Sequence, residues 1–275
     1  MFENIIGNKK IKETLEKTIE NKVVTQSYMF LGNEGIGKRM FAIEFAKEIL
    51  HSDNSPDYVF LEPEGASFKI EQIRKMQEKI AEKPIEGDKK VYVVNDADLM
   101  TKEAQNALLK TLEEPPEYIT MILIGINENS FLPTIKSRCN IINFSPISDE
   151  EMKQYLHTDN ISPNMLKLYQ GSILKANILK NKYEEYKNIE NTIENLQNID
   201  FVDIIYGLET LYKAKEEAKE ILEYINVLFS QKMIKDSRYA NCIEYVEDTK
   251  KRLKMNANYD MSIDLLVLKI WEEFS

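Results

Sequence analysis

Residues that form covalent or metal cross-links are scarce in this chain. Cysteine occurs only at Cys139 and Cys242, and histidine only at His51 and His157. Two thiols this far apart make neither a disulfide framework nor a four-ligand zinc site. We therefore expect no structural metal.

Long apolar runs and an excess of basic residues are also missing. No apolar run approaches the ~20 residues that span a bilayer, and residues 1–10 lack the apolar core of a signal peptide. We expect a cytoplasmic chain with no membrane partner. Lys and Arg number 36 against 46 Asp and Glu, a net charge of −10. That balance argues against a protein that binds nucleic acid alone, but it permits a role in an assembly whose other members hold DNA.

The first half of the chain alternates strand-like and helix-like segments. This alternation predicts βαβ units and a parallel sheet covered on both faces, so we predict a doubly wound α/β domain over residues 1–145. The apolar runs lie at 28–31, 58–61, 91–94, 121–126 and 141–144, and the amphipathic stretches at 9–21, 38–50, 70–83 and 102–113.

The pattern changes near Pro146, after which helical spacing dominates. Residues 148–151 form a capping box that begins a helix. We predict a small helical unit over 146–182 and a larger helical domain over 183–275. Its apolar positions repeat with the 3.6-residue period of a buried helix face. Most of these stripes favour a helical core, and one alternative is that part of a stripe packs on a partner subunit.

Residues 32–39 fit the pattern G-x-x-x-x-G-K, directly after a predicted strand and before a predicted helix. Gly32, Gly35 and Gly37 allow backbone N–H groups to wrap a phosphate, and the helix N-terminus adds its dipole. Lys38 would reach the β and γ phosphates. A glycine-rich turn formed by chance is the alternative, which the strand, loop and helix in register make less favourable.

Two features of this loop and its neighbouring strand argue against hydrolysis. The position after the lysine should be Ser or Thr, whose hydroxyl binds Mg²⁺, and here it is Arg39. The strand at 91–94 should end in a metal-binding Asp and a water-activating Glu, and here it ends in Asn95 and Asp96. Together these departures predict little or no hydrolysis at this loop.

Arg138 lies just before the last predicted strand. An arginine there is usually a surface or salt-bridge residue. The more specific interpretation is an arginine finger that contacts the γ-phosphate of a nucleotide bound to a neighbouring subunit. Position alone leaves both open.

Several of these segments resemble the AAA+ subunits of bacterial DNA polymerase III clamp loaders. The segment 106–116 (NALLKTLEEPP) and the Ser-Arg-Cys at 137–139 are the most specific, and 2–7 and 28–38 resemble the start of the same domain. The resemblance covers about residues 1–180. It implies an AAA+ P-loop domain at 1–145, a helical lid at 146–182 and an all-α C-terminal collar at 183–275.

Within that family the chain resembles the non-hydrolysing δ′ type rather than the motor subunits. Motor subunits carry Lys-Thr or Lys-Ser in the loop, an Asp-Glu pair in the second magnesium-binding element (here at 95–96), and an Arg two residues after a Gly-Ser. This chain has Arg39, the pair Asn95 and Asp96, and Leu174. Many relatives also carry a four-cysteine zinc module, which residues 51–58 bypass, so we expect no zinc.

The resemblance also implies a mechanism and a set of partners. AAA+ subunits form an open ring held by a collar, and the motor subunits bind ATP at their interfaces to load the sliding clamp onto primed DNA. A δ′-type subunit acts as a stator whose Arg138 completes a neighbour's ATP site in trans. The implied partners are the motor subunits and the δ subunit, with the clamp and primed DNA within the complex.

Three alternatives stay open at this point. The chain is an ATPase with weak hydrolysis of its own that uses Asp96, or it binds ATP or ADP without hydrolysing it. A clamp-opening δ subunit is the third alternative. It is disfavoured because that subunit usually lacks both the phosphate loop and the Ser-Arg-Cys motif.

Overall fold

The computed structural model describes residues 1–158 and 161–275. Within them the chain forms two compact units. The sheet unit comprises Met1–His157 and Gly171–Leu174, and the helical unit comprises Thr158–Gln170 and Lys175–Ser275. The division into 1–145, 146–182 and 183–275 stays a prediction. No helix in the described residues is both long and apolar enough to cross a membrane.

The predicted apolar runs form a parallel sheet in the order β2-β3-β4-β1-β5. Strands β1, β3 and β4 are buried along their whole length, as expected when helices cover both faces. The doubly wound α/β prediction is confirmed. The strands are β1 (Ser27–Leu31), β2 (Tyr58–Leu61), β3 (Lys90–Val94), β4 (Ile119–Gly125) and β5 (Asn140–Asn143).

Side chains alternate along each strand, so this sheet has an apolar surface on both faces, and helices cover each of them. On one face Met29 and Leu31 of β1 belong to a core that includes residues of α3 and α4. On the other face Tyr28 and Phe30 belong to a core that includes residues of α1 and α2. The helices of the sheet unit are α1 (Lys9–Glu20), α2 (Lys38–Leu50), α3 (Ile70–Ile80), α4 (Lys102–Glu113), α5 (Pro133–Lys136) and α6 (Asp149–Leu156).

The predicted capping box is present at the start of α6. Ser148 Oγ accepts from the Glu151 backbone N–H, and the Glu151 carboxylate accepts from the Ser148 backbone N–H. The helices that follow are α7 (Pro163–Tyr169), α8 (Ile173–Leu179), α9 (Tyr183–Glu194), α10 (Phe201–Gly207), α11 (Glu209–Lys213), α12 (Ala218–Lys232), α13 (Arg238–Lys254) and α14 (Tyr259–Phe274).

The helical unit is organised around α12, which packs against α7, α9 and α13. Its apolar stripe, including Ile221, Ile225 and Phe229, is fully buried. Tyr224 of α12 packs edge-on against Tyr186 of α9 with ring centroids 5.0 Å apart. The stripe is therefore core within this unit.

Candidate functional site

The carboxyl ends of the parallel strands gather the predicted loop residues at one edge of the sheet, the usual ligand edge of such folds. Residues 32–37 follow β1, and Asn95 and Asp96 follow β3. Two residues not singled out from the sequence also lie there, Glu62 after β2 and Asn127 after β4. Their position just after a predicted apolar strand was the available signal.

The phosphate loop has the backbone geometry that its glycines were expected to provide. Gly32, Gly35 and Gly37 have φ values of 149°, 75° and 96°, a region that favours glycine. Gly37 is the N-cap of α2, a helix of 13 residues, so the helix N-terminus faces the loop. This arrangement suits a phosphate or another anion.

Lys38 is buried, with 7% of its surface exposed. Its Nζ donates to the backbone carbonyls of Gly32 and Asn33, both at 2.6 Å. Burial lowers the pKa of Lys38, and the carboxylates of Asp98, Asp96 and Glu34 oppose that shift. The lysine braces the loop by bonding both of these carbonyls.

Arg39 points away from the loop toward the end of β2. Its Nη1 lies 2.9 Å from Glu62 Oε1, and its guanidinium lies 4.4 Å from the centroid of the Phe60 ring. The Arg39 side chain is 55% exposed, so the ion pair stabilises the fold by at most about 1 kcal/mol. Position 39, where a hydroxyl that binds Mg²⁺ is expected, therefore holds a guanidinium that is already paired with Glu62.

These residues fit a nucleotide phosphate better than they fit its magnesium ion. Mg²⁺ prefers oxygen ligands in octahedral geometry, whereas position 39 supplies a guanidinium. Asn95 directs its Nδ2 at Asp96 Oδ2, 3.0 Å away, and at Glu62 Oε1, 3.5 Å away. Within residues 1–158 and 161–275, no group of three or more His, Cys, Asp or Glu side chains is placed to hold a metal ion.

Asp96 lies in an electronegative setting beside the loop. Burial raises the pKa of its carboxyl, and the charges of Asp98, Glu62 and Glu34 raise it further, against the opposing effect of Lys38. Its φ of 52° is left-handed, a conformation that asparagine also tolerates. The charged form of Asp96 therefore costs stability at neutral pH.

Replacing Asp96 with asparagine is expected to stabilise the chain at pH 7 by up to about 1 kcal/mol. The pKa of Asp96 is higher in the folded state than in the unfolded state. The cost of its charge to the free energy of unfolding therefore decreases as pH falls through the folded pKa, and it is gone below the unfolded pKa. The advantage of Asp96→Asn should therefore shrink toward about pH 4. Urea denaturation across this range measures it. Asp88→Asn, at an exposed loop carboxylate, serves as control, and an advantage independent of pH would contradict the prediction.

The segment Gly171–Leu174 returns to the sheet unit and lies against the phosphate loop. The backbone N–H groups of Ile173 and Leu174 donate to Gly35 O at 2.9 and 3.4 Å. A Cβ on Gly35 would overlap Ser172 Oγ and lie 2.6 Å from Leu174 Cβ. Leu174, predicted to replace the lid arginine of motor subunits, thus packs on the loop itself.

Arg138 lies at the opposite edge of the sheet, between α5 and the start of β5. Its Nη2 is 2.8 Å from Glu113 Oε1, and its Nη1 donates to Thr134 O at 2.8 Å. The five residues of β1 separate the two edges by about 16 Å. Arg138 therefore lies far from its own phosphate loop. It borders an open cleft of about 380 Å³ lined also by Thr25, Gln26, Ser27, Pro115, Ser137 and Asn140.

Gln105 is a buried polar residue that the sequence patterns did not single out. It is 3% exposed and lies on α4. Its Nε2 donates to Met100 O at 3.2 Å and Ser130 O at 2.8 Å, and its Oε1 accepts from Leu132 N at 2.8 Å. The side chain joins α4 to the segment that leads into α5. The signal was a glutamine among the apolar positions of an amphipathic helix.

A five-stranded parallel sheet in the order β2-β3-β4-β1-β5, with a glycine-rich loop at its carboxyl edge and helices after it, is the architecture of the AAA+ P-loop fold. Solved structures agree on the fold. A DNA polymerase III gamma subunit-related protein from Thermotoga maritima superposes with a TM-score of 0.58 at 20% identity, covering 96% of this chain and 99% of that one. The RuvB Holliday junction branch migration motor from the same organism gives 0.50 at 16% identity, covering 75% and 70%.

The family model described as DNA polymerase III, delta subunit, matches residues 7–148, more than half of the chain. The chain belongs to this family. It is 28% identical to the Bacillus subtilis DNA polymerase III subunit delta′ over 76% of its own length and 65% of that protein. It is 25% identical to the Haemophilus influenzae tau/gamma subunit over 80% of its length and 36% of that protein. The chain thus spans less than two thirds of each of these two relatives.

Proposed function

We propose that this chain is a δ′-type subunit of a DNA polymerase III clamp loader, without ATP hydrolysis of its own, and that Arg138 acts in trans at a neighbouring subunit's ATP site. Family membership and the likeness to delta′ and tau/gamma subunits support the assembly. The proposed partners are the motor subunits and the δ subunit, with the sliding clamp and primed DNA within the complex. Residues 183–275 would supply the collar.

The position of Arg138 carries this proposal. A finger must reach the γ-phosphate that it stabilises, and Arg138 stands at the sheet edge opposite the chain's own phosphate loop. Its surroundings form an open cleft rather than a buried structural site, and its side chain is 33% exposed. Such a placement suits a group that serves another molecule.

The condition of the phosphate loop supports the second half of the proposal. Arg39 is paired with Glu62, and Leu174 packs on Gly35. Asn95 is hydrogen-bonded to Asp96. None of these groups offers the hydroxyl, the carboxylate pair or the lid arginine of a hydrolysing subunit. In such a stator subunit the phosphate loop has a structural role rather than a catalytic one.

The isolated chain is therefore expected to show no Mg²⁺-dependent ATP turnover, even at high protein concentration, and Lys38→Ala should leave that result unchanged. Added to the motor subunits encoded by the same genome, the chain should raise their turnover. Phosphate release measures both. Turnover by the isolated chain that disappears in Lys38→Ala would show instead an ATPase with weak hydrolysis of its own.

Nucleotide binding without hydrolysis is a second candidate property of the loop. The left-handed glycines, the start of α2 and the buried Lys38 favour it. Titration of the isolated chain with fluorescent ATP and ADP, with and without Mg²⁺, measures it directly. Binding that Lys38→Ala abolishes would establish it, and no binding at millimolar nucleotide would remove it.

A further inference from the structure

Glu113 is the last residue of α4, and its carboxylate forms an ion pair with Arg138, with 2.8 Å between Oε1 and Nη2. The other terminal nitrogen, Nη1, donates to Thr134 O at 2.8 Å and contacts Ser137 Oγ at 3.4 Å. One side of the guanidinium is thus held by its own local segment. The other side is held by a different helix.

The position of Glu113 on its helix is unfavourable without that partner. The C-terminus of a helix carries partial negative charge and disfavours carboxylates by about 0.3–1 kcal/mol. α4 nevertheless ends in Glu113 and is followed by Glu114, and Pro115 stops the helix there. Lys110 also lies in the last turn of α4, and the guanidinium of Arg138 places a second cation at this helix end, directly against the Glu113 carboxylate.

We infer that Glu113 is a positioning residue for Arg138, which retains the guanidinium on this subunit's own surface until the γ-phosphate of a neighbour's nucleotide replaces it. The inference rests on the trans role proposed for Arg138. Carboxylate and phosphate both accept from the same guanidinium donors. The two acceptors therefore compete for Nη2.

The exposure of the ion pair indicates that a phosphate can displace the Glu113 carboxylate from Arg138 at a small cost in free energy. The side chains of Arg138 and Glu113 are 33% and 50% exposed, and solvent-exposed ion pairs are typically worth about 0.2–1 kcal/mol. An arginine finger is worth about 10³–10⁵ in rate. Glu113 thus costs the assembled site only a small fraction of what Arg138 contributes, while it keeps the finger in place on the free subunit.

The test uses the chain reconstituted with the motor and δ subunits of its own organism. Without clamp and DNA, Glu113→Gln should raise ATP turnover about two- to five-fold, because the amide keeps the shape but loses the charge that competes for Arg138. The adjacent exposed Glu114→Gln should leave turnover unchanged. Glu113→Asp, which restores the charge, should return turnover toward the wild-type value.

A double variant separates positioning from a general structural effect. If Glu113 acts only through Arg138, then Glu113→Gln with Arg138→Ala should behave like Arg138→Ala alone. Thermal melting checks that each variant is folded. A rise in turnover that persists without Arg138 overturns the inference.

The remaining outcomes distinguish the two proposals. If Arg138→Ala lowers turnover while Glu113→Gln matches the wild type or falls below it, the trans role stands and the positioning role is overturned. If Arg138→Ala alone leaves turnover unchanged, both are overturned.

Discussion

On the trans role proposed for Arg138, replacing it with alanine should lower ATP hydrolysis at the neighbouring subunit's site by about 10³-fold or more. The finger stabilises negative charge that develops on the γ-phosphoryl group, and alanine leaves that charge unmatched. Any other ATP site of the proposed assembly would be unaffected by the substitution, so the total steady-state rate should fall less. Single-turnover hydrolysis by the assembled loader, with clamp and primed DNA present, resolves the slow site.

Two substitutions serve as controls for this result. Arg138→Lys keeps the charge but loses the planar fork that pairs with phosphate oxygens, so it should recover only part of the rate. Arg74→Ala removes another exposed arginine, on α3 of the same unit, and should have no effect. An Arg138→Ala subunit that assembles normally and supports wild-type hydrolysis at every site would rule out the finger.

Replacing Gly35 with alanine should destabilise the sheet unit by about 2–5 kcal/mol. The left-handed conformation of this residue costs an L-residue about 1–2 kcal/mol. The added Cβ must also displace Ser172 and Leu174, and overpacking of this kind costs about 1–3 kcal/mol. Urea denaturation measures the loss, and faster amide exchange at Ile173 would report release of the segment from the loop.

Gly65→Ala is the matched control for that substitution. Gly65 has a φ of 100° in an exposed loop, and a Cβ there meets no atom within 4 Å. It should therefore show the backbone strain alone, about 1–2 kcal/mol. Equal losses in the two variants would mean that the Cβ added at Gly35 is accommodated at no packing cost, which contradicts the prediction.

The sheet unit follows closely from local sequence pattern. Strands buried on both faces are nearly all apolar, so the apolar runs locate them well. The apolar runs locate the ends of a strand less accurately where a polar residue is buried. β4 begins at Ile119 rather than at 121 because Thr120, only 2% exposed, lies inside the sheet. The loop glycines were predictable for a similar reason, since their backbone requirement is local.

Contacts between distant segments could not be predicted in this way. Arg39 was recognisable as an unsuitable magnesium ligand, but its pairing with Glu62 depends on where β2 ends. The sequence showed that Leu174 stands where motor subunits carry an arginine. Its contact with Gly35 could not be predicted, because it depends on the chain returning to the phosphate loop after several intervening helices. The pairing of Arg138 with Glu113 likewise requires two helices to end at the same sheet edge.

The short strand β5 affects how the chain behaves before it meets any partner. It is an edge strand of four residues, with the exposed Asn140 and Asn143 at its two ends. An unpaired edge attracts strands from other molecules, and short polar edges resist that form of aggregation. The cleft beside Arg138 thus adjoins an edge that discourages indiscriminate pairing. This edge of the sheet is therefore expected to resist pairing with a strand of another copy of the chain.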